Sequence, residues 1–406
     1  PKVRRQTLAN ALQHINPTPI IMPQNEQHTE GKNAVQARQQ QVTAHANSHA
    51  NKPTSEKNAA SINACMRGLA IIGIFLHNYC HWLGPIVKEN EYTFNAENVT
   101  RMNHALVHPD AHLPMHLLSF FGHYGVPVFL FLSGYGLFKK YHSLQVPVGK
   151  FLFSHYLKLF RIMVAGFALF IAVDTLYPPS WHYDSLKVIS QLLMFNNLLP
   201  RPDKIIWPGP FWFFGLMMQF YLLYRLVLHR RHWGITALLM ALCLIVQLQL
   251  PPLDEVMNRY RYNFMGGMLP FGLGLLYAQF HKSATLWGDD NVKQSAALLV
   301  CIVLAYYLCQ SFVGWTFVPA VVCCAALLTA KLLARAPVMA WLYRALCWMG
   351  GISAALFVTH PVTRKLIIPI SRQGQPYLGL LLYIVASVAL AWVADKLIRR
   401  IPLPKR

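Results

Sequence analysis

The chain has 406 residues, of which 55% are hydrophobic and only 13% charged, with a mean hydropathy of +0.33. Soluble chains carry about a quarter charged residues, so this composition excludes an ordinary water-soluble domain. The net charge of +21 does not point to nucleic acid, because the cations sit at the ends of apolar runs, as at Lys139–Lys140, Arg230–Arg231 and Arg399–Arg400, and no DNA- or RNA-binding fingerprint is present.

Residues 1–60 are rich in Gln, Asn, His and Ala and poor in large apolar side chains. Such a segment cannot bury enough surface to offset chain entropy, so a disordered cytoplasmic tail is expected. No cleavable signal peptide is expected, since the first apolar run lies about sixty residues in.

Ten spans are then expected, near residues 67–84, 117–138, 159–177, 211–228, 233–250, 263–280, 294–312, 315–333, 346–363 and 376–395. The expected fold class is therefore all-α, a polytopic transmembrane helical bundle. The first span holds Arg67, His77, Asn78 and His81 within roughly a 100° sector of one helix face. Ten residues of helix raise His77 about 15 Å above Arg67. Ionisable groups are costly in hydrocarbon, so the stripe points to function. Taken singly, Arg67 also reads as an interfacial anchor and His77 as a hydrogen-bonded core histidine. In the loop that follows, His104, His108, His112 and His116 recur every four residues. They either line a helix face or offer ligands to zinc.

The second span carries Gly125 through Tyr135, with Ser133 inside it, a composition that suits close helix packing as well as a site. At the mouth of the third, Lys158 and Arg161 share a helix face, where they can hold phosphates or lipid headgroups. The run at 186–199 is short and ends in Asn196 and Asn197, so it is expected to re-enter or lie at the interface. The fourth span opens with Trp212 and contains Gln219 and Tyr221; an interfacial anchor explains the Trp but not the amide. The ninth holds Ser353 and His360, the latter expected near an outer helix end. The eight cysteines lie mostly inside apolar runs without a CxxC pair, so they read as small hydrophobes.

With ten spans both termini lie on one side. That side holds Lys139, Lys140, Lys150, Lys158, Arg230, Arg231 and Lys282, while Arg364, Lys365 and Arg372 fall in a loop on the other. The positive-inside rule makes both termini cytoplasmic.

In order along residues 61–400, these motifs resemble the acyltransferase-3 family of integral membrane O-acyltransferases. The family's Arg and His, ten residues apart in the first helix, match Arg67 and His77. Its glycine-rich stretch ending in Ser-Gly-aromatic matches Gly125 to Tyr135. Its basic Arg-x-x-Arg matches Lys158 and Arg161, with Lys in the first place. Its Trp segment ending in Gln-Phe-Tyr matches Trp212, Gln219, Phe220 and Tyr221, and its Ser…His segment matches Ser353 and His360. Met217 and Met218 stand where many relatives have a carboxylate, which implies a different acceptor. No hydrolase-like domain is expected after residue 400.

The resemblance implies a catalytic set of His77, Arg67 and His360, and a donor-binding set of Lys158, Arg161, Ser133, Trp212, Gln219 and Tyr221. It implies no bound cofactor, with acetyl-CoA or another acyl-CoA as donor substrate. A glycan or lipid-linked molecule would be the acceptor, within the bilayer and without nucleic acid. His77 would act as a base or carry the acyl group covalently. A transporter or flippase that exports a glycan or lipid without acyl chemistry is the alternative, and a scaffold would leave the Arg67–His77 stripe unexplained.

Overall fold

Short loops carry the stop and start signals that define the helices. Asn95, Asp184, Asp254, Asp290 and Ser311 each cap a helix by accepting a backbone N–H with the side chain. In the computed structural model, which describes residues 58–280 and 290–402, the chain is all-helical. The helices are α1 (Asn58–Cys80), α2 (Ala96–Val107), α3 (Leu113–Tyr141), α4 (Val148–Leu176), α5 (Ser185–Leu192) and α6 (Gly209–Leu228). They continue as α7 (Trp233–Gln249), α8 (Glu255–Tyr262), α9 (Phe264–Phe280), α10 (Asn291–Leu308), α11 (Phe312–Arg335), α12 (Pro337–Arg372) and α13 (Pro376–Arg400). The expected tail falls almost wholly outside the described residues, as does Lys282.

Among the described residues eight helices are long and apolar enough to cross a membrane, and α7 and α9 are shorter apolar helices. This is a multi-pass membrane bundle of about ten helices, as the apolar runs imply. The run at 186–199 does not cross. It forms the eight-residue α5 and then a tight turn in which the Asn197 amide donates to the carbonyls of Trp212 (2.9 Å) and Tyr262 (2.6 Å). Asn197 thus ties the start of α6 to the end of α8, while Asn196 donates back to Gln191 of α5 at 2.7 Å.

Apolar composition is spent differently across the bundle. In α12, 67% of the most apolar window is buried, against 11% in α10 and 22% in α13. Side chains such as Leu299, Val300, Ile302 and Val303 on α10 face outward, the pattern of a helix solvated by lipid. The central helices are held by close approach rather than by exclusion of water. A Cβ on Gly350 of α12 would stand 1.9 Å from the Ala64 carbonyl oxygen of α1, so only glycine permits this crossing.

Two helices run longer than the hydropathy of the chain suggests. α4 begins at Val148, so Lys158 and Arg161 lie within the helix and not at its mouth. α12 continues through Pro361 and Pro369 to Arg372. Neighbouring helices sustain a proline inside a membrane helix, and the added turns bring Arg364 into the interior instead of leaving it in a loop.

Candidate active site

Two cavities share the centre of the bundle. The larger, of about 440 Å3, is bounded by α1, α3, α4, α6 and α12. Its walls are apolar, with Leu132, Phe129 and Met217 among them, and its polar groups are few: Arg67, Lys140, Ser133, Tyr141, His155, Tyr221 and Ser353. Ser133 Oγ donates to the Phe129 carbonyl at 2.7 Å, and the His155 ring lies 4.4 Å from that of Tyr221. The two cations give an anion a landing place beside an apolar slot.

The smaller cavity, about 140 Å3, lies further along α1 and is lined by His77, Asn78, His81, Glu91, His123, Trp212 and Arg364, among others. His77 Nδ1 stands 2.6 Å from the Ser119 carbonyl oxygen. A carbonyl can only accept, so Nδ1 carries the proton, and in the neutral form of the ring the lone pair is on Nε2. Gly122 sets this contact. A Cβ there would meet the Gly73 carbonyl oxygen at 2.5 Å and the His77 Cβ at 2.8 Å, so the α1–α3 crossing that seats the imidazole needs glycine.

Charge in this chamber is unusual. The Arg364 guanidinium is buried, donates Nη1 to Asn78 Oδ1 at 3.1 Å, and lies 4.7 Å over the Trp82 ring. Among the described residues no carboxylate pairs with it. An unpaired buried cation costs several kcal/mol, so the arrangement asks for a reason. His123 is fully enclosed, its ring 5.4 Å from that of His77.

The loop after α1 closes the chamber. His81 follows one turn after His77, with its ring 5.1 Å from the His77 ring. Burial pushes Glu91 up to about 7 against the pull of Arg261, and pushes Glu89 up to about 8. Arg261 anchors the loop by donating Nε to the Glu91 carbonyl at 2.7 Å and Nη1 to that of Gly266 at 2.8 Å. Tyr92 stacks on Tyr262 with ring centroids 4.0 Å apart.

The cavities meet at a waist. Ile74, Val126, Phe213 and Phe357 line both, so four apolar side chains divide a cationic slot from a histidine chamber. Arg67 and His77 stand at the two ends of this path, about 15 Å apart along one helix.

The remaining site expectations divide by place. Arg67, Ser133 and Tyr221 line the large cavity, and His77 and Trp212 the small one. Lys158 and Arg161 line neither. They lie on α4 at the level of the large cavity, where Arg161 Nη1 donates to the Ile401 carbonyl at 3.0 Å. Gln219 also lies apart from both: it donates to Asn263 Oδ1 at 2.7 Å and accepts the Phe264 N–H at 2.9 Å, which fixes the start of α9. His360 is fully buried behind Phe357, with Nδ1 3.0 Å from the Leu356 carbonyl, and lines neither cavity. Lys140, His155, His123, Glu91 and Arg364 also line the two cavities, though no motif singled them out. The one signal that could have flagged Arg364 is its place four residues after His360, on the same helix face.

Among the described residues no group of three His, Cys, Asp or Glu could hold a metal ion. In the His104–His116 series, His116 turns inward and accepts the Val87 N–H at 3.0 Å.

A family model described as an acyltransferase domain, acyltransferase 3, matches residues 62–396. Comparison with curated proteins and with solved structures gives no match. The family match spans most of the chain and contains both cavities, so the chain belongs to the acyltransferase 3 family, an O-acyltransferase family.

Proposed function

We propose that this acyltransferase 3 protein moves an acyl group, acetyl in the simplest case, from acyl-CoA in the large cavity to a hydroxyl of a surface glycan or related acceptor in the small one. The observation that carries the reading is the His77 ring: its proton is fixed on Nδ1 by Ser119, and its Nε2 lone pair belongs to a chamber joined by a waist to a cationic slot.

Arg67 and Lys140 hold the donor's phosphates, with Lys158 and Arg161 adding positive charge at the same level of α4. The pantetheine arm lies against Phe129, Leu132 and Met217, and the thioester reaches the waist. The chamber is too small for a whole cofactor, which suits a site that admits only the acyl end. Nε2 of His77 then takes the proton of the acceptor hydroxyl, or itself attacks the thioester and passes the acyl group on. Either route uses the same nitrogen. Ser133, Tyr221 and Trp212 shape the two linings, Gln219 holds α9 in place, and His360 supports the α12 face that presents Phe357 and Arg364. By the positive-inside rule the donor side, with both termini, is cytoplasmic.

The test is turnover in proteoliposomes given labelled acetyl-CoA and membrane glycan. Thioester loss and label in the glycan are expected, both abolished by His77→Ala in protein that still inserts. Glycan movement without thioester loss would instead identify an exporter and end this reading.

A further inference from the structure

The chamber beside His77 contains a cation that the acid–base reading leaves unused. Arg364 is 5% exposed, four residues beyond His360 on α12. Only Nη1 is bonded within the described protein, to Asn78 Oδ1; Nε and Nη2 make no hydrogen bond there and are not sealed off by packing. The guanidinium is held by the Trp82 ring, 4.7 Å from its Cζ, and by Asn78, the neighbour of His77. A planar cation so placed, with no carboxylate partner among the described residues, lines both the His77 chamber and a cavity of about 540 Å3 on its Trp82 side, and on the chamber side it is an anion site built in advance.

We propose that Arg364 is a catalytic residue that binds the oxyanion formed during acyl transfer. This rests on the acyl-transfer reading of the same chamber. The acceptor oxygen, losing its proton to His77 Nε2, forms a bond to the thioester carbonyl carbon. The carbonyl π electrons move onto oxygen, and the Arg364 Nε and Nη2 hydrogens receive that charge. When the carbonyl re-forms, the C–S bond breaks, and the thiolate takes the proton back from His77. Negative charge on oxygen exists only between these events, so a cation already in place favours the transition state over the bound substrates. That no carboxylate among the described residues pairs with it follows from this role, since a resident counter-ion would quench the site.

Two variants test it in the reconstituted protein. Arg364→Gln removes the charge, and kcat is expected to fall about 10²–10³-fold while KM for acetyl-CoA and for glycan stays within about threefold. Asn78→Asp keeps the guanidinium but gives it a carboxylate partner. Its thermal stability is expected to match or exceed that of the parent, while kcat falls about tenfold or more, a split that a purely structural arginine would not give. An Arg364→Gln protein with normal kcat and a raised glycan KM would overturn the proposal and make Arg364 a recognition site for an anionic acceptor. An Asn78→Asp protein with undiminished kcat would overturn it equally. If His77→Ala abolishes turnover while both variants remain active, the acyl-transfer reading stands and the oxyanion role alone falls.

Discussion

The two cavities differ in the work their linings suit. The Arg67 cavity holds about 440 Å3, has mostly apolar walls, and carries cations where a charged molecule would enter. The His77 chamber holds about 140 Å3 and concentrates three histidines, a carboxyl and an uncompensated guanidinium. The first can bind a long amphipathic molecule by charge and apolar contact, without polarising any one bond. The second has too little room to bind much, but His77 and Arg364 are held in it by hydrogen bonds to Ser119 and Asn78. The contrast suggests binding on one side of the waist and bond-making on the other, in line with the rule that enzymes use remote contacts to position a reacting centre.

If that division holds, changes in the chamber should lower kcat and changes in the slot should raise KM. The largest effect is expected for His77→Ala, a loss of about 10²–10⁴-fold in kcat with acetyl-CoA KM nearly unchanged, read from initial rates over a donor series. Val126→Phe fills the waist between the two spaces. Because misplacing reacting groups by about 1 Å costs on the order of 100-fold, transfer should drop by about that factor while titrated acyl-CoA binding persists. If binding disappears as well, the waist is part of the slot and the comparison fails.

On the binding side, Arg67→Gln is expected to raise the donor KM about tenfold, matching the loss of one charge-assisted hydrogen bond, with kcat preserved. The same substitution at Arg161, which lies outside the cavity and engages Ile401, should have a smaller effect; a larger one would shift the phosphate site to α4. Gly122→Ala forces a methyl group against Gly73 and His77, so it should destabilise the bundle by about 1–3 kcal/mol and lower kcat several-fold, seen as a reduced melting temperature in detergent.

The smallest effect on turnover is expected at Glu89, whose contribution lies in stability. Its carboxyl titrates near 8 in the folded protein and near 4.5 when unfolded, so the folded state binds the extra proton between those values. Stability contributed by this group is fully present below about 4.5 and is lost as pH rises through about 8. Melting curves should show that loss, and Glu89→Gln should flatten it.

Much of this molecule is legible in the order of its residues. Long apolar runs with cations at their ends place the spans, because backbone groups in hydrocarbon must be paired within a helix. The polar stripe from Arg67 to His81 stands out for the same reason: a polar side chain in such a run is costly wherever it lies. Arg364 is harder to see, since the apolar run ends near residue 363 and the residues beyond it read as loop. Packing against α1 and α13 carries α12 on instead, and that contact cannot be read from local propensity. Gln219 shows the converse. An amide in an aromatic span is conspicuous in the sequence, but its partners, Asn263 and the N-terminus of α9, are distant in the chain and cannot be read from it.

By itself, then, the sequence determined the solvent in which the chain folds, the number and rough limits of its helices, the family to which it belongs, and the helix that carries the imidazole. Those properties depend on hydropathy and short-range spacing, which are written locally. Only the tertiary structure decided that His77 keeps its proton on Nδ1, that Arg364 shares its chamber, and that four apolar side chains stand between slot and chamber. Each of these depends on groups from different helices meeting within a few ångströms, and glycines such as Gly122 and Gly350 set how closely those helices approach.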